Sequence, residues 1–208
     1  MKRAISDDAK DRRREAILAA ALDEFYRNGL KATNMESIAR HAGISKGAVY
    51  LYFPSKDAIF AALVASIARP NVDIVEQALR ATPSVREGLT QLLTFAPRLI
   101  SHSPLPKLLK VLLSEAFSFP EIVQHYREDI ILRALNALTE LLERGKASGE
   151  IDIGDPALTA RLVVSPFVKS LMWTIFFESD DSDSHLDLDA FMAEHRRLLF
   201  RAIGLQEE

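Results

Sequence analysis

Lys46, Tyr50 and Tyr52 fall within one short stretch, with Gly47 and Ala48 between them and no carboxylate among them. No catalytic motif accompanies such a set. Its chemistry is hydrogen-bond donation. An ammonium reaches a guanine edge or a phosphate, and a phenol hydroxyl donates to phosphate oxygens. Glycine and alanine let a helix backbone approach base edges, and an alanine methyl can meet the methyl group of thymine. We therefore place Lys46, Gly47, Ala48, Tyr50 and Tyr52 in or at a DNA groove. Tyr50, Tyr52 and Lys56 donate to phosphates and fix register, while Thr33, Asn34 and Ser45 stand at helix starts whose N–H groups can clamp phosphate. Plain packing is the competing role for the two tyrosines.

Two very short helices must carry these residues. Met35, Ile38, Ala39 and Ala42 recur at helical spacing and give the first helix one apolar face. Asn34 precedes it as N-cap, and Gly43 ends it by reaching left-handed φ. Ser45 caps the second helix, which runs to about Phe53 before Pro54. Val49 and Phe53 form its apolar side. A helix of about two turns does not hold itself together in water. It must be braced on one face while the other is offered outward, which is the arrangement of a helix-turn-helix whose target is the major groove.

The stretch Thr33 to Lys56, TNMESIARHAGISKGAVYLYFPSK, closely resembles the TetR family of bacterial transcriptional regulators. The agreement runs without a gap through Ala42-Gly43-Ile44-Ser45-Lys46-Gly47-Ala48-Val49-Tyr50 and Tyr52-Phe53-Pro54-Ser55-Lys56, and covers roughly residues 10–65. Asn34 stands where many members carry Thr or Ser. The resemblance implies that the matched positions are the usual DNA contacts. It also implies repression as the common mode, although some members activate, and a four-helix dimer interface built from the last two helices.

Composition sets wide bounds. The 208 residues are 48% hydrophobic and 26% charged, enough for a sizeable core in a soluble chain. The absence of cysteine excludes disulfides, cysteine-based zinc sites and thiol chemistry, and fits a reducing cytoplasm. The apolar runs look too short to span a bilayer, and the charged start MKRAISDDAK is unlike a signal peptide. Net charge is −3 overall, yet residues 1–56 carry +4 and the remainder −7. A basic head on an acidic body is the pattern of a DNA reader. Lys10 to Arg14 crowd the N-terminal end of the first helix, where cations oppose the helix dipole. A partner phosphate explains that placement, and so does an ordinary solvated face.

The rest of the chain reads as helices only. The first spans 10–28, closed by Asn28-Gly29. After the motif, Ser55 opens a helix to about Leu79, with a kink or short break near Arg69 because of Pro70. Ser84 and Glu87 form a capping box for a helix ending at His102. Residues 105–118 are apolar all round, which implies a buried helix. A second box, Ser118 to Glu121, opens a helix to about Lys146, and Asp155-Pro156 opens another over 157–178. Residues 178–189 form an acidic loop. The last helix covers 189–203, with Phe191, Leu198, Leu199 and Ala202 inward. The expected fold is all-α with about nine helices: a three-helix, homeodomain-like DNA-binding domain over 1–56 and a helical effector-binding and dimerisation domain over 57–208.

One helix-turn-helix makes too few contacts for specific binding, so a two-fold homodimer is expected. Helices 157–178 and 189–203 are candidates for its seam, against the reading that they fill a monomer core. The body holds more large apolar side chains than a scaffold needs. Leu92, Phe95, Leu108, Leu112, Phe117, Tyr126, Ile130, Phe167, Leu171 and Trp173 are candidate walls of a pocket, with His102, Glu115 and His125 as polar handles. Most of these are equally well explained as core. A lipophilic or aromatic effector would suit such walls. The five histidines show no metal-ligand spacing, and no cofactor or catalytic motif is present. A ligand-responsive repressor on a palindromic operator accounts for head and body together. A DNA-binding dimer answering to a protein partner is the alternative, and a helical lipid carrier or enzyme leaves residues 33–56 unexplained.

Overall fold

The computed structural model describes residues 7–117, 120–178 and 186–205. Among them the chain is helical throughout, as expected, with no strand. The helices are α1 (Asp7–Ala32), α2 (Met35–His41), α3 (Lys46–Tyr50), α4 (Lys56–Ile67), α5 (Arg69–Ala81), α6 (Val85–Ser101), α7 (Leu105–Glu115), α8 (Pro120–Tyr126), α9 (Arg133–Ser148), α10 (Pro156–Phe176) and α11 (Leu188–Ala202). A π-helical stretch, Arg127–Leu132, joins α8 to α9 within the helix expected over 121–146. The break expected near Arg69 lies at Ala68. Pro70 sits in the first turn of α5, where its missing N–H has no intrahelical partner to lose.

The chain divides into two compact units. Residues up to Ala68, together with Lys107–Val123, make the first; Arg69–Pro106 and the residues from Gln124 onward make the second. The unit that holds the short helices thus extends beyond residue 56 and takes in most of α7.

In the first unit, α1 packs on α2 and α4, and α2 on α3. Ile17, Ala21 and Phe25 recur every fourth residue on α1 and are fully buried, and the Phe25 ring meets Phe60 of α4 edge-on at 6.0 Å. Gly29, at φ 77 and ψ 158, breaks α1 as its position suggests, although one more turn follows to Ala32. The break releases the Leu30 N–H, which donates to Glu115 Oε1 at 3.0 Å. Lys56 Nζ donates to the carbonyls of Leu30, Lys31 and Thr33 at 2.7, 3.0 and 3.3 Å. A lysine from a later helix thereby satisfies carbonyls that the end of α1 leaves open.

Helix α7 is not buried all round. Leu108, Leu109, Val111 and Leu112 are buried, but Lys107, Lys110 and Ser114 are exposed, and Phe117 beyond its end is fully exposed. The two lysines reach α1: Lys107 Nζ lies 3.0 Å from Asp23 Oδ1, and Lys110 Nζ donates to the Tyr26 hydroxyl at 3.3 Å. Polar positions spaced along one side of α7 therefore serve the first unit.

The second unit is built on Leu89, Leu138, Leu142, Ala160, Val163 and Phe200. Helix α9 packs against α5 and α10, and α6 against α11. Ion pairs run along the α5–α9 side: Arg133 pairs with Asp73 and Glu76, and Arg80 with Glu140. Ser84 Oγ accepts the Glu87 N–H at 3.2 Å, but the N–H groups of Val85 and Arg86 donate to Glu150, 65 and 64 residues later. Asp155 caps α10 by accepting from Ala157 and Leu158, with Pro156 in the first turn. The capping box at Ser118 and the centre of the acidic loop lie outside the described residues.

Two expectations on burial need correction. On α11, Met192 and Phe200 are buried, whereas Leu198 and Ala202 are exposed. The apolar band is wider than one face, so its sequence pattern did not fix the phase. Segment Lys56–Ala81, taken as one, also has the length and composition to cross a bilayer, with mean hydropathy 1.5 over its most apolar window. Several of its apolar side chains are buried in the protein instead, although Ile74 is exposed. Ile59, Phe60 and Leu63 are buried in the first unit, and Val72 and Leu79 are buried on α5.

Candidate nucleic-acid interface

Local chemistry builds the α2–α3 corner. Asn34 Oδ1 accepts the N–H groups of Glu36 and Ser37, both at 3.0 Å, and starts α2. Gly43, at φ 67, turns the chain, and the Ile44 N–H returns to the Ala39 carbonyl at 3.0 Å. Ser45 Oγ then accepts from the Ala48 N–H at 3.2 Å and starts α3. Five residues long, α3 buries one of them fully, Val49, at 0% exposure. Phe53, just beyond, is buried too, and its N–H donates to the Val49 carbonyl at 3.0 Å. These two side chains fasten the helix from behind.

The other faces of α3 are free. Lys46, Gly47 and Tyr50 are exposed, Tyr50 at 48%, while Ala48 and Tyr52 are half-buried. A Cβ placed on Gly47 would meet nothing within 4 Å. Lys46 Nζ lies 3.7 Å from Glu36 on α2, an exposed pair held loosely enough to exchange for another anion.

Other expected site residues serve the fold. Thr33 is buried, and its hydroxyl donates to the carbonyls of Gly29 and Glu24 at 2.7 and 3.2 Å. Asn34 and Ser45 spend their side-chain oxygens on helix starts. All three ammonium protons of Lys56 have carbonyl acceptors within the unit, so this lysine caps α1 and has none left for a phosphate.

One pair at this corner was not visible in the sequence. His41 Nδ1, on α2, lies 3.0 Å from Glu24 Oε1 on α1, and Asn28 Nδ2 donates to the same carboxylate at 3.3 Å. The His41 hydrogen bond holds the Glu24 carboxyl below the usual carboxylate range, against a smaller opposing effect of burial. The partners are 17 residues apart, and no local pattern links them.

The candidate pocket residues do not gather in one unit. Leu108, Leu112, Glu115 and Phe117 fall in the first, and Leu92, Phe95, His102, His125, Tyr126, Ile130, Phe167, Leu171 and Trp173 in the second. Glu115 is spent on the Leu30 N–H, and His102 and His125 are exposed. Tyr126 is buried, and burial pushes its phenol up to about 12, so it stays neutral and polar in an apolar setting. Leu92, Phe95 and Phe167 are half-buried. A cleft of about 460 Å³ in the second unit is lined by Asp73, Glu76, Gln77, Arg80 and Ala81, none of them expected. Among the described residues no three metal-ligating side chains come together.

On α10, Leu158, Leu162, Val168, Trp173 and Phe176 are exposed, and so are Phe177 just beyond its end and Leu198 of α11. The two helices that carry them are those read as a seam.

Known proteins match both regions. The family described as bacterial regulatory proteins, tetR family, matches residues 17–63, and the C-terminal domain of AefR-like transcriptional repressors matches residues 87–202. An uncharacterised regulator of the helix-turn-helix type from Bacillus subtilis, YhgD, is 28% identical over 160 residues, 75% of this chain and 81% of its own. RutR of Escherichia coli is 46% identical, but over 55 residues only, 26% of either chain. A solved structure from Mesorhizobium loti, assigned to the tetR family, superposes with a TM-score of 0.73 at 26% identity, covering 93% of this chain and 97% of its own.

Proposed function

The chain belongs to the TetR family of DNA-binding transcriptional regulators, whose members regulate transcription and are not enzymes, and from that premise we propose that it is a homodimeric, effector-released repressor of a palindromic operator. The observation that carries the DNA half is α3 itself. Its fully buried residue faces the unit's interior, and the outward set is an amine, a phenol and a glycine with open space beside it. In this reading Gly47 and Ala48 approach base edges, Lys46 exchanges Glu36 for a guanine edge or phosphate, and Tyr50 and Tyr52 hold register on the backbone. Thr33, Asn34, Ser45 and Lys56 shape the corner that presents them.

Dimerisation supplies the second half-site. The exposed apolar side chains of α10, with Leu198 of α11, make a face whose contact with a second copy would remove it from water. The AefR-like repressor match over residues 87–202 supports repression as its mode. The effector is a small apolar molecule seated among Leu92, Phe95, Phe167 and their neighbours in the second unit, with Tyr126 as a polar handle. It acts by binding more tightly to a conformer whose two recognition helices no longer match the operator spacing.

Selection of duplexes from a random pool tests this. The purified chain should enrich an inverted repeat with half-sites one helical turn or a multiple apart, and sedimentation should show two chains per duplex. Enrichment of no sequence at moderate salt overturns the reading.

A further inference from the structure

We infer that Arg14, on the first helix, is a phosphate clamp for the DNA backbone, held ready by the ring of Phe53. The inference rests on the DNA-binding reading of α3 and adds a residue outside the α2–turn–α3 corner. The Arg14 guanidinium carbon lies over the Phe53 ring at 5.3 Å from its centroid. That ring is a fixed platform. Phe53 is buried, its N–H is bonded to Val49, and Val49 is the fully buried anchor of α3. The arginine is thereby tied to the same short run that carries Tyr50 and Tyr52.

Arg14 is also a cation without a counter-charge. It is exposed, and among the described residues no carboxylate pairs with it, although Asp11 and Glu15 are close in sequence. Lys56, Lys107, Lys110 and Lys46 of the same unit are engaged, with three carbonyls, Asp23, Tyr26 and, loosely, Glu36 respectively, and what sets Arg14 apart from the unit's other exposed arginines is the ring beneath it. Stacking on an aromatic face does not neutralise a guanidinium. It fixes the plane and leaves the N–H edges free to donate. A stacked, unpaired arginine held on the run that carries Tyr50 and Tyr52 suits a phosphate oxygen, where bidentate donation is strong. It takes the anchoring role that Lys56, spent inside the fold, does not fill.

The test uses the full chain, a duplex selected by the wild-type protein from a random pool, and a scrambled duplex of equal length. Arg14→Ala should weaken binding to both duplexes alike, by about tenfold, because a phosphate contact carries no sequence information. It should also flatten the plot of log affinity against log salt by roughly 0.9 for each copy bound. Arg14→Lys keeps the charge and should restore the salt slope but only part of the affinity, since lysine lacks the planar fork. Arg14→Gln, which keeps the length without the charge, should behave like alanine. Thermal unfolding of each variant is read alongside. Wild-type affinity and salt slope in Arg14→Ala overturn the inference, as does a loss of affinity with an unchanged slope and a lowered melting temperature. If the wild-type chain enriches no duplex at all, the DNA-binding reading fails with it. If it enriches one that Arg14→Ala binds equally well, only the clamp is lost.

Discussion

Three glycines on helices show how differently the two units use a missing side chain. In the second unit, a Cβ on Gly145 of α9 would stand 2.2 Å from Val85 Cγ2 on α6, and one on Gly88 of α6 would stand 2.6 Å from Leu141 Cδ2 on α9. Each lets the opposite helix come close, so each has an internal reason to be glycine. In the first unit, a Cβ on Gly47 of α3 would meet nothing. The fold makes no use of that glycine. Its helix would be more stable with alanine, by roughly 0.5–1 kcal/mol. The proposed approach of DNA to this helix would give that glycine a use outside the fold. The units also differ in what holds them. The first relies on large buried rings, Phe25 against Phe60, and the second on close approach of α6 and α9.

The largest effect that would break this contrast is in the ring pair. Phe60→Ala removes a fully buried ring, and the first unit should lose about 3–5 kcal/mol. Chemical denaturation followed by a probe in each unit should show the first unfolding early. A loss below about 1 kcal/mol would mean that the ring contact matters little. Next comes Gly145→Ala. Its methyl group must push Val85 aside, with Ile151 also only 3.3 Å away, which should cost about 1–3 kcal/mol in the second unit. An unchanged midpoint would show that α6 and α9 separate freely and that close approach is not what binds them.

Gly47→Ala is the sharper contrast, because stability and function should move in opposite directions. The melting temperature should hold or rise, while affinity for a selected duplex falls about tenfold, equivalent to about 1.4 kcal/mol. If affinity is unchanged, the open space beside Gly47 is not where DNA approaches. If stability falls, the glycine serves the fold after all and the contrast with Gly145 disappears.

How much of this was legible beforehand depended on distance along the chain. The helix starts at Asn34, Ser45, Ser55 and Asp155 could be read because a cap and the N–H donors it accepts from are neighbours. The outward set on α3 was legible for the same reason: Lys46, Gly47 and Tyr50 share one short helix with a single fully buried residue. What escaped was long-range. Nothing near Lys56 points to carbonyls 23 to 26 residues earlier, and nothing near Glu115 points to an N–H 85 residues away. Helix α7 misled for a related reason. Its leucines dominate the composition and mask the polar side on which Lys107 and Lys110 reach α1. A pocket is harder still to read, because a half-buried Leu92 or Phe167 has the same local pattern whether it lines a cavity or fills a core.

The smallest effect concerns two carboxylates, one in each unit. Glu24 and Glu194 are both held below their ordinary value of 4.5, first by a hydrogen bond from His41 and from Arg197 respectively. Their settings differ. The Glu24 side chain is 14% exposed and bridges two helices, whereas Glu194 pairs with a residue one turn away on the same exposed face of α11. A carboxyl held low in the folded state binds fewer protons there than in the unfolded chain. Below about 4.5 unfolding therefore takes up protons. The stability that such a group lends is complete above that value and drains away as pH falls through the lower, folded one. For Glu24 this should appear as a decline in wild-type stability under acid, and Glu24→Gln should flatten that limb while lowering stability at neutral pH. For Glu194, water and salt screen the pair, so Glu194→Gln should leave the whole curve in place. Superimposable curves for Glu24→Gln and wild type would show that the His41 contact does not fasten α2 to α1. A change with Glu194→Gln as large as that with Glu24→Gln would show that burial, on which the distinction between the two carboxylates rests, is not what decides their weight.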